Sequence, residues 1–517
     1  MINEDTICAI ATALGGALGV VRVSGPDAVT IVDKVFSPKG KASLSLSKPN
    51  TLHYGVLHTV DGHEIDDVVV SLWRAPHSYT GEDGVEISCH GSAYIARSIV
   101  STLIEAGCRQ ADHGEFTMRA FLNNKMDLSQ AEAVADLIAA NNKASHDLAL
   151  SQMRGHFSDE LKQLHDHLLK LTSLLELELD FSDHEDLEFA DRTELHDLAL
   201  HIDKRITQLA ASFKAGQAIK EGIPVAIVGK TNVGKSTLLN QLLHEDKAIV
   251  SDVDGTTRDL VEDVMTINGV KFRIIDTAGI RQTDDKIERI GIERAYEAIA
   301  KAAVVVWVID EQPTADEEAD IKKRLRHLNS DDASMDVLSP VDSSNNEPSN
   351  DEPSNDEPSD DVLTSHDEPS HDESSNDEPY NEEPSNDVLT SDEAPAQLII
   401  VHNKCDLHPG SFCEDELPIS AKNGTNIPQL EQRIYEAARL PEIDDNAIIV
   451  TNLRHYEALT RAHASLSRFL DGLAAGLPSD LLAEDLRLCL SDLGEITGQI
   501  TPDATLQNIF RHFCIGK

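Results

Sequence analysis

Positive charge is scarce in this sequence. Its 44 Lys and Arg face 91 Asp and Glu, a formal net charge of −47. Between residues 331 and 394 there is no Lys or Arg, while 22 Asp and Glu lie there, which leaves −25 for the rest of the chain. A nucleic-acid binder usually shows a basic stripe or patch. None is visible, so any RNA contact is small or shared with a partner. Paired cysteines are missing too: Cys8, Cys89, Cys108, Cys405, Cys413, Cys489 and Cys514 contain no C-x-x-C. A zinc site is therefore not expected, and scattered thiols suit a reducing cytosol. No apolar run comes near the roughly 20 residues of a membrane span. The chain does not open on a basic segment followed by an apolar one. The expectation is a soluble, cytoplasmic protein without membrane contact. What the sequence does have is length: 517 residues at 40% hydrophobic content can fill two to four domain cores.

One stretch organises the chain. Gly229-Lys230-Thr231-Asn232-Val233-Gly234-Lys235-Ser236 reads G-x-x-x-x-G-K-S. The apolar run Ile223–Val228 before it suits a buried strand, and Thr237–Leu243 after it suits a helix. Strand, glycine loop and helix are the context in which this motif cradles phosphates. Backbone N–H groups converge on the phosphate oxygens, and the helix N-terminus adds its dipole. Lys235 is placed to reach the β- and γ-phosphates, and the Ser236 hydroxyl to hold Mg²⁺. Three further motifs select the nucleotide. Asp276-Thr277-Ala278-Gly279 follows the run Phe272–Ile275, which puts a carboxylate at a strand end near the metal. Asn403-Lys404-Cys405-Asp406 follows Gln397–His402, and the Asp406 carboxylate can accept from guanine N1–H and its exocyclic amine. Ser420-Ala421-Lys422 fits the loop that backs the base. In this order the motifs define a GTPase domain that begins near residue 222.

Around it the pattern changes three times. Residues 1 to about 120 carry β-like runs at Leu18–Val23, Val68–Trp73 and Val85–His90, with helices expected around Pro26–Phe36 and Ala93–Ala106: an α+β domain. Arg22 and Glu82 stand beside glycine turns there, which ordinary turn chemistry also explains. From Asp127 the pattern is helical. Ser129-Gln130-Ala131-Glu132 reads as a capping box, helices run through Asp180, and one more is expected over Arg192–Glu221. Helical patterning resumes at Thr451. The economical reading is a helical domain with the GTPase domain inserted into it. Residues 312–396 interrupt the GTPase domain with an imperfect Asp-Glu-Pro-Ser repeat. Its low hydrophobicity, like charge and frequent Pro predict a disordered acidic loop. The predicted parts are 1–125, 126–221, 222–438 with the insert 312–396, and 439–517.

Several longer stretches carry a resemblance. They are Tyr79-Thr80-Gly81-Glu82-Asp83, Glu115–Lys125, Gly255-Thr256-Thr257-Arg258-Asp259, Asp276–Gly279 with Glu288–Arg294, and the closing Phe513-Cys514-Ile515-Gly516-Lys517. With them the chain resembles the MnmE (TrmE) family, GTPases that modify wobble uridine 34 of tRNA. The resemblance covers nearly everything outside the acidic insert. It departs at Ala11–Ala17, where the family's Arg and Pro are missing, and at Ser251, where Thr is usual.

The resemblance implies a multidomain α/β protein: an α+β N-terminal tetrahydrofolate-binding and dimerisation domain, a helical middle, and an inserted Ras-like P-loop domain with a parallel-type sheet and helices on both faces. It implies a homodimer and a flavin-dependent partner, MnmG, in a heterotetramer. Together they would add a carboxymethylaminomethyl or aminomethyl group at C5 of uridine 34. The one-carbon donor would be 5,10-methylene-tetrahydrofolate, with the 5-formyl form as its analogue, and tRNA would be met mostly through the complex. The folate contacts fall on Arg22, Glu82, Lys125 and Lys517. Cations suit the ligand's carboxylates, and a carboxylate suits the pterin's N–H edge. GTP contacts fall on Asn232, Val233, Gly234, Lys235, Ser236 and Thr237. They continue through Ser251, Asp252, Val253, Asp254, Gly255, Thr256 and Thr257, then Asp276, Thr277, Ala278 and Gly279. Asn403, Lys404, Asp406, Ser420, Ala421 and Lys422 complete them.

Mg²⁺ is implied at Ser236 and Thr257, and K⁺ at Asn232, Ser251, Val253 and Thr256. The glutamine that follows the D-x-x-G glycine in many small GTPases is replaced by Ile280, which cannot orient water. The resemblance gives that task to Glu288, with Lys235 and Asn232 as the other catalytic residues. Cys514 is a candidate thiol for the tRNA chemistry. Its C-a-a-X context ends in Lys without an upstream basic stretch, which argues against prenylation. A regulatory or assembly GTPase, switching partners without tRNA chemistry, is the alternative from a different class. It would have no use for the folate residues.

Overall fold

The computed structural model describes residues 5–40, 43–180, 192–244, 263–275, 301–314, 317–319, 321, 396–407, 413, 416–440 and 448–516. The chain falls into two compact units, Met1–Gln312 with Gln397–Lys517, and Pro313–Ala396. The first is described here. The expected acidic loop lies almost wholly outside the described residues.

The N-terminal part is a seven-stranded sheet. Its strands are β1 (Ile7–Ile10), β2 (Leu18–Ser24), β3 (Phe36–Pro38), β4 (Thr51–His58), β5 (Glu64–Trp73), β6 (Gly84–His90) and β7 (Arg109–Gln110), in the order β3-β4-β5-β6-β2-β1-β7. Only the β1–β7 pairing is parallel among them. Alternation decides the faces, because successive side chains point opposite ways. Val21, Val23, Val68, Val70, Leu72, Val85 and Ile87 share a buried core with the helices α1 (Ala28–Val35) and α2 (Ala93–Ala106). Their neighbours Arg22 and Glu86 stand on the opposite face, directly across from each other in the β2–β6 register. The helix predicted over Pro26–Phe36 is shorter by two residues at its start, and its Phe36 opens β3 instead.

Helices α3 (Glu115–Leu122), α4 (Leu128–Ala139), α5 (Lys143–Met153) and α6 (His156–Asp180) follow, then α7 (Arg192–Ala211) and α8 (Phe213–Glu221). Leu161, Leu164, Leu168, Leu171 and Leu175 recur at three- and four-residue steps on α6 and form one buried stripe. Two predicted details differ. The capping box of α4 is Asp127 with Gln130, not Ser129 with Glu132: the Asp127 carboxylate accepts from the Gln130 N–H at 2.9 Å, and Gln130 Oε1 from the Asp127 N–H at 3.0 Å. Asp127 is extended and two residues earlier, so it takes the cap, and Glu132 turns inward to other partners. The single helix predicted over 192–221 breaks at Ser212. Its hydroxyl donates to the Leu209 carbonyl at 2.6 Å and accepts from the Val450 N–H at 3.0 Å, a local bond that competes with helix continuation.

The third part is a six-stranded sheet of β8 (Ile223–Val228), β9 (Asp263–Ile267), β10 (Val270–Ile275), β11 (Val304–Ile309), β12 (Gln397–His402) and β13 (Glu416–Pro418), ordered β13-β12-β11-β8-β10-β9. All pairings are parallel except the β9–β10 hairpin, whose turn residues Asn268 and Gly269 both have positive φ. Every residue of β11 is buried, as a central parallel strand requires. Helices α9 (Lys235–His244) and α10 (Ile427–Ala437) belong to this part. The last helices are α11 (Leu453–Ala474), α12 (Ser479–Thr497) and α13 (Asp503–Arg511). α11 and α12 join the core of α6 and α7, so the chain returns from the GTPase sheet into the helical layer it left at α8.

Candidate functional site

β8 ends at Val228, and the chain turns back over β11. At Gly229, with φ +150°, a Cβ would lie 2.2 Å from the Val308 carbonyl oxygen, so only glycine passes. At Gly234, with φ +99°, a Cβ would lie 2.3 Å from Asn403 Nδ2. Asn232 supplies a third left-handed residue, φ +63°, and stands exposed between them. The loop is thus shaped by backbone, and α9 starts at its end with Lys235 and Ser236. Lys235 Nζ donates to the Gly229 and Lys230 carbonyls at 2.6 and 2.7 Å, across the loop mouth. Burial holds its pKa below the ordinary lysine value. Phosphate charge beside it would favour the ammonium again.

The Asn-Lys-Cys-Asp motif divides its labour. Asn403, 3% exposed, donates from Nδ2 to the Val233 carbonyl at 2.7 Å and accepts the Ala421 N–H on Oδ1 at 3.0 Å. It ties the phosphate loop to the loop expected behind the base. Lys404 Nζ donates to the Asn232 carbonyl at 2.9 Å and to Asp310 at 2.7 Å, bracing the loop tip. Asp406 is exposed, and the Ser420 hydroxyl foremost holds its carboxyl below the usual carboxylate range. The motif therefore has two bracing side chains and one carboxylate open to a base. Val233 and Ala421 are buried, while Thr237 and Lys422 are exposed. The candidate residues Ser251–Thr257, Asp276–Gly279, Glu288 and Lys517 lie outside the described residues.

A second candidate site lies on the open face of the N-terminal sheet. A cleft of about 200 Å³ is lined by Arg22, Ser24, Trp73, Tyr79, Thr80 and Glu86, among others. Arg22 pairs with Glu86 at 2.9 Å, lies 5.2 Å from the Tyr79 ring centroid, and donates to the Gly516 carbonyl at 3.2 Å. The tail is held there by backbone. His113 bridges Ile515, and a Cβ on Gly516 would lie 2.4 Å from the Ile10 carbonyl oxygen. Glu82 accepts from the Ser24 hydroxyl at 2.7 Å and from Arg119 at 3.2 Å. Lys125 reaches the Pro76 carbonyl at 3.0 Å, and its stem runs past Gly81. Arg22, Glu82 and Lys125 thus gather around the turn 79–83, with Gly516 alongside. Cys514 is exposed on the same tail.

Sequence reasoning missed the layer beneath. Arg119, 4% exposed in its side chain, lies among Asp5, Glu82 and Glu115. Arg109 adds bonds to Asp5 and Glu115. Burial would raise the Asp5 and Glu115 carboxyls, but the two arginines outweigh it and hold both below the usual range. The signal was available: Glu115 and Arg119 are four apart in the stretch that supplied Lys125, the spacing at which helical neighbours meet.

A central parallel strand running into a glycine loop, with an Asn-Lys-x-Asp strand end beside it whose Asn is buried and whose Asp is open, is the frame of a P-loop GTPase, and this chain is an enzyme of that class. The model of the MnmE helical domain matches residues 128–514, and that of the GTP-binding protein TrmE N-terminus matches residues 6–125. A tRNA modification GTPase MnmE of Bacteroides fragilis is 48% identical over 533 residues, covering all of both chains. Those of Phocaeicola vulgatus and Flavobacterium johnsoniae are 46% and 44% identical, again over the whole of both chains. The chain belongs to the MnmE family of tRNA modification GTPases. Among solved structures, a GTP-binding protein of Sulfolobus solfataricus in complex with GDP aligns with 57% of this chain and 71% of its own at 15% identity and TM-score 0.22, too slight a likeness to argue from. Among the described residues no helix is long and apolar enough to cross a membrane.

Proposed function

We propose that this GTPase works with a flavin-dependent partner to add an aminomethyl or carboxymethylaminomethyl group at C5 of wobble uridine 34, with a tetrahydrofolate one-carbon donor in the N-terminal cleft. The observation that carries the reading is that one chain holds two chemically different sites. A phosphate loop braced by Asn403 and Lys404 serves GTP. A cleft bearing Arg22, with Glu82 on its turn and Lys125 reaching alongside, offers cations for carboxylates and a carboxylate for an N–H edge. A GTPase that only switched partners would need the first alone.

For hydrolysis, the loop's N–H groups and Lys235 bind and orient the phosphates, and Asp406 fixes the base. Asn232 is exposed at the loop tip and Ser236 lies in the first turn of α9, so an amide oxygen and a hydroxyl, hard donors that suit K⁺ and Mg²⁺, stand at the positions the resemblance implies. Bound there, the cations would neutralise phosphate charge. Glu288 is the proposed water-orienting residue, and closure of the GTPase faces in a homodimer accompanies turnover. The test is nucleoside analysis of tRNA from cells lacking this protein, beside titration of the purified protein with 5-formyltetrahydrofolate. Loss of the uridine modification and tight folate binding are expected; unchanged wobble uridines would refute the reading. Turnover in KCl against NaCl at equal ionic strength, with Glu288→Ala alongside, tests the cation and water assignments.

A further inference from the structure

The mechanism so far leaves one nearly inaccessible cation unused. Arg119 stands on α3 beneath the turn 79–83, too buried to touch a ligand in the cleft. All its N–H directions are occupied. Nε faces Glu115 Oε1 at 3.3 Å, and Nη2 donates to Asp5 Oδ1 at 2.6 Å and Glu115 Oε1 at 2.9 Å. Nη1 donates to the Asp5 carbonyl at 2.8 Å and faces both Glu82 oxygens at 3.2 and 3.4 Å. A guanidinium has five donors in a fixed plane, so four groups from three segments are locked to one rigid fork. Three of those contacts bind α3 to itself and to Asp5. The fourth reaches Glu82.

We propose that Arg119 is a positioning residue for Glu82, fixing the direction of the carboxylate that the N-terminal ligand meets. This rests on the tetrahydrofolate reading of the cleft. Glu82 is held from two sides. Ser24, which lines the cleft, donates to Oε2, and Arg119 approaches from below. An ionised carboxylate has about four acceptor positions, so these donors fix the group and leave acceptor capacity for an N–H pair from above. Arg109 makes the comparison possible: it bonds Asp5 and Glu115, with no contact to Glu82 among its bonds.

The experiment is calorimetric titration of the full chain with 5-formyltetrahydrofolate for wild type, Arg119→Gln, Arg119→Lys, Arg109→Gln, Glu82→Gln and the double variant Glu82→Gln/Arg119→Gln. Thermal unfolding is recorded for each. Arg119→Gln is expected to weaken binding about 30-fold, and Arg119→Lys, which keeps the charge but loses the fork, about 5-fold. Arg109→Gln should lower the unfolding temperature comparably yet bind within about threefold of wild type. In the Glu82→Gln background the Arg119 change should cost less than about twofold, because its effect passes through Glu82. Additive losses in the double variant, or equal losses for Arg109→Gln and Arg119→Gln, would overturn the proposal. If Arg119→Gln does not fold, the same cycle is closed with Arg119→Lys. A wild type that binds no tetrahydrofolate refutes the ligand reading and this inference with it, whereas a binding wild type with an indifferent Arg119→Gln refutes the inference alone.

Discussion

The phosphate loop and the N-terminal cleft are built by opposite means. The loop is six consecutive residues, Gly229–Gly234, whose shape comes from backbone: two glycines that admit no Cβ and one left-handed Asn. Its supports, Asn403 and Lys404, also act on main-chain carbonyls. The cleft is made mostly of side chains, from Asp5 beneath it to Arg22 at its rim, where the Gly516 carbonyl joins them, and its polar groups work by pairing with one another. A backbone-built site tolerates neighbours that change and fails at an added methyl group. A side-chain-built site depends on charges placed far apart in sequence, and each loss leaves a partner unpaired. The two should therefore fail separately and for different reasons.

The largest effect expected from that separation is at Lys235. Lys235→Ala should lower GTP turnover by about 10³-fold, since it removes a charge aimed at the transferred phosphoryl group, while 5-formyltetrahydrofolate still binds. Steady-state hydrolysis beside calorimetry checks both. The reverse cut is removal of residues 514–517. It takes away the Gly516 carbonyl on Arg22 and the docked tail, and folate affinity should fall by about 10²-fold with GTP turnover kept. If hydrolysis falls as far, the two sites are one unit and the contrast is wrong.

A third cut should strike both sites together. Glu132 on α4 accepts from Arg454 at 3.0 Å and from His455 at 2.6 Å on α11, joining the segment after the N-terminal part to the segment after the GTPase part. Burial alone would raise its carboxyl, but His455 and Arg454 hold it at about 2 against an ordinary 4.5. A depressed pKa means stability that is full above pH 4.5 and fades as pH falls toward 2. Glu132→Gln should cost on the order of 3 kcal/mol at pH 7, and less below pH 4.5, because the lost ion pairs are worth less there. Denaturant unfolding at pH 7 and pH 3.5 gives the two values; an equal loss at both would remove the ion-pair account. The smallest effect is at the base. Asp406→Asn should weaken GTP by about 30-fold and shift preference toward xanthine nucleotides, since the carboxylate's two bonds are exchanged for a donor and an acceptor. Competition binding of GTP and XTP reads this directly.

The same contrast explains what could be read in the sequence. β8 and β11 coincide with apolar runs because strands buried on both faces leave no alternation to misread. The phosphate loop was legible because its geometry needs particular residues at fixed spacing. The cleft was legible only through resemblance, since no local rule links Arg22 to Gly516 or Glu82 to Arg119. Ser129 and Glu132 matched the pattern of a capping box, yet Asp127 two residues earlier made the better acceptor, and Glu132 was drawn to His455 and Arg454 on a helix over 300 residues away. Ser212 broke a helix whose periodicity ran on unbroken, because its second partner is the backbone of Val450. Each miss has a partner that is remote in sequence.

The bond from Arg22 to the Gly516 carbonyl has a consequence in time. It joins positions 494 residues apart. Synthesis runs at about 5–20 residues per second, so on the order of half a minute to a minute and a half separates the appearance of the two groups. The N-terminal sheet can form early, but its cleft stays unfinished until residue 516 has left the ribosome, after the whole GTPase part has been made. A nascent chain can therefore complete its nucleotide site before its cleft, and a ribosome stalled between the GTPase part and the tail leaves the first site without the second.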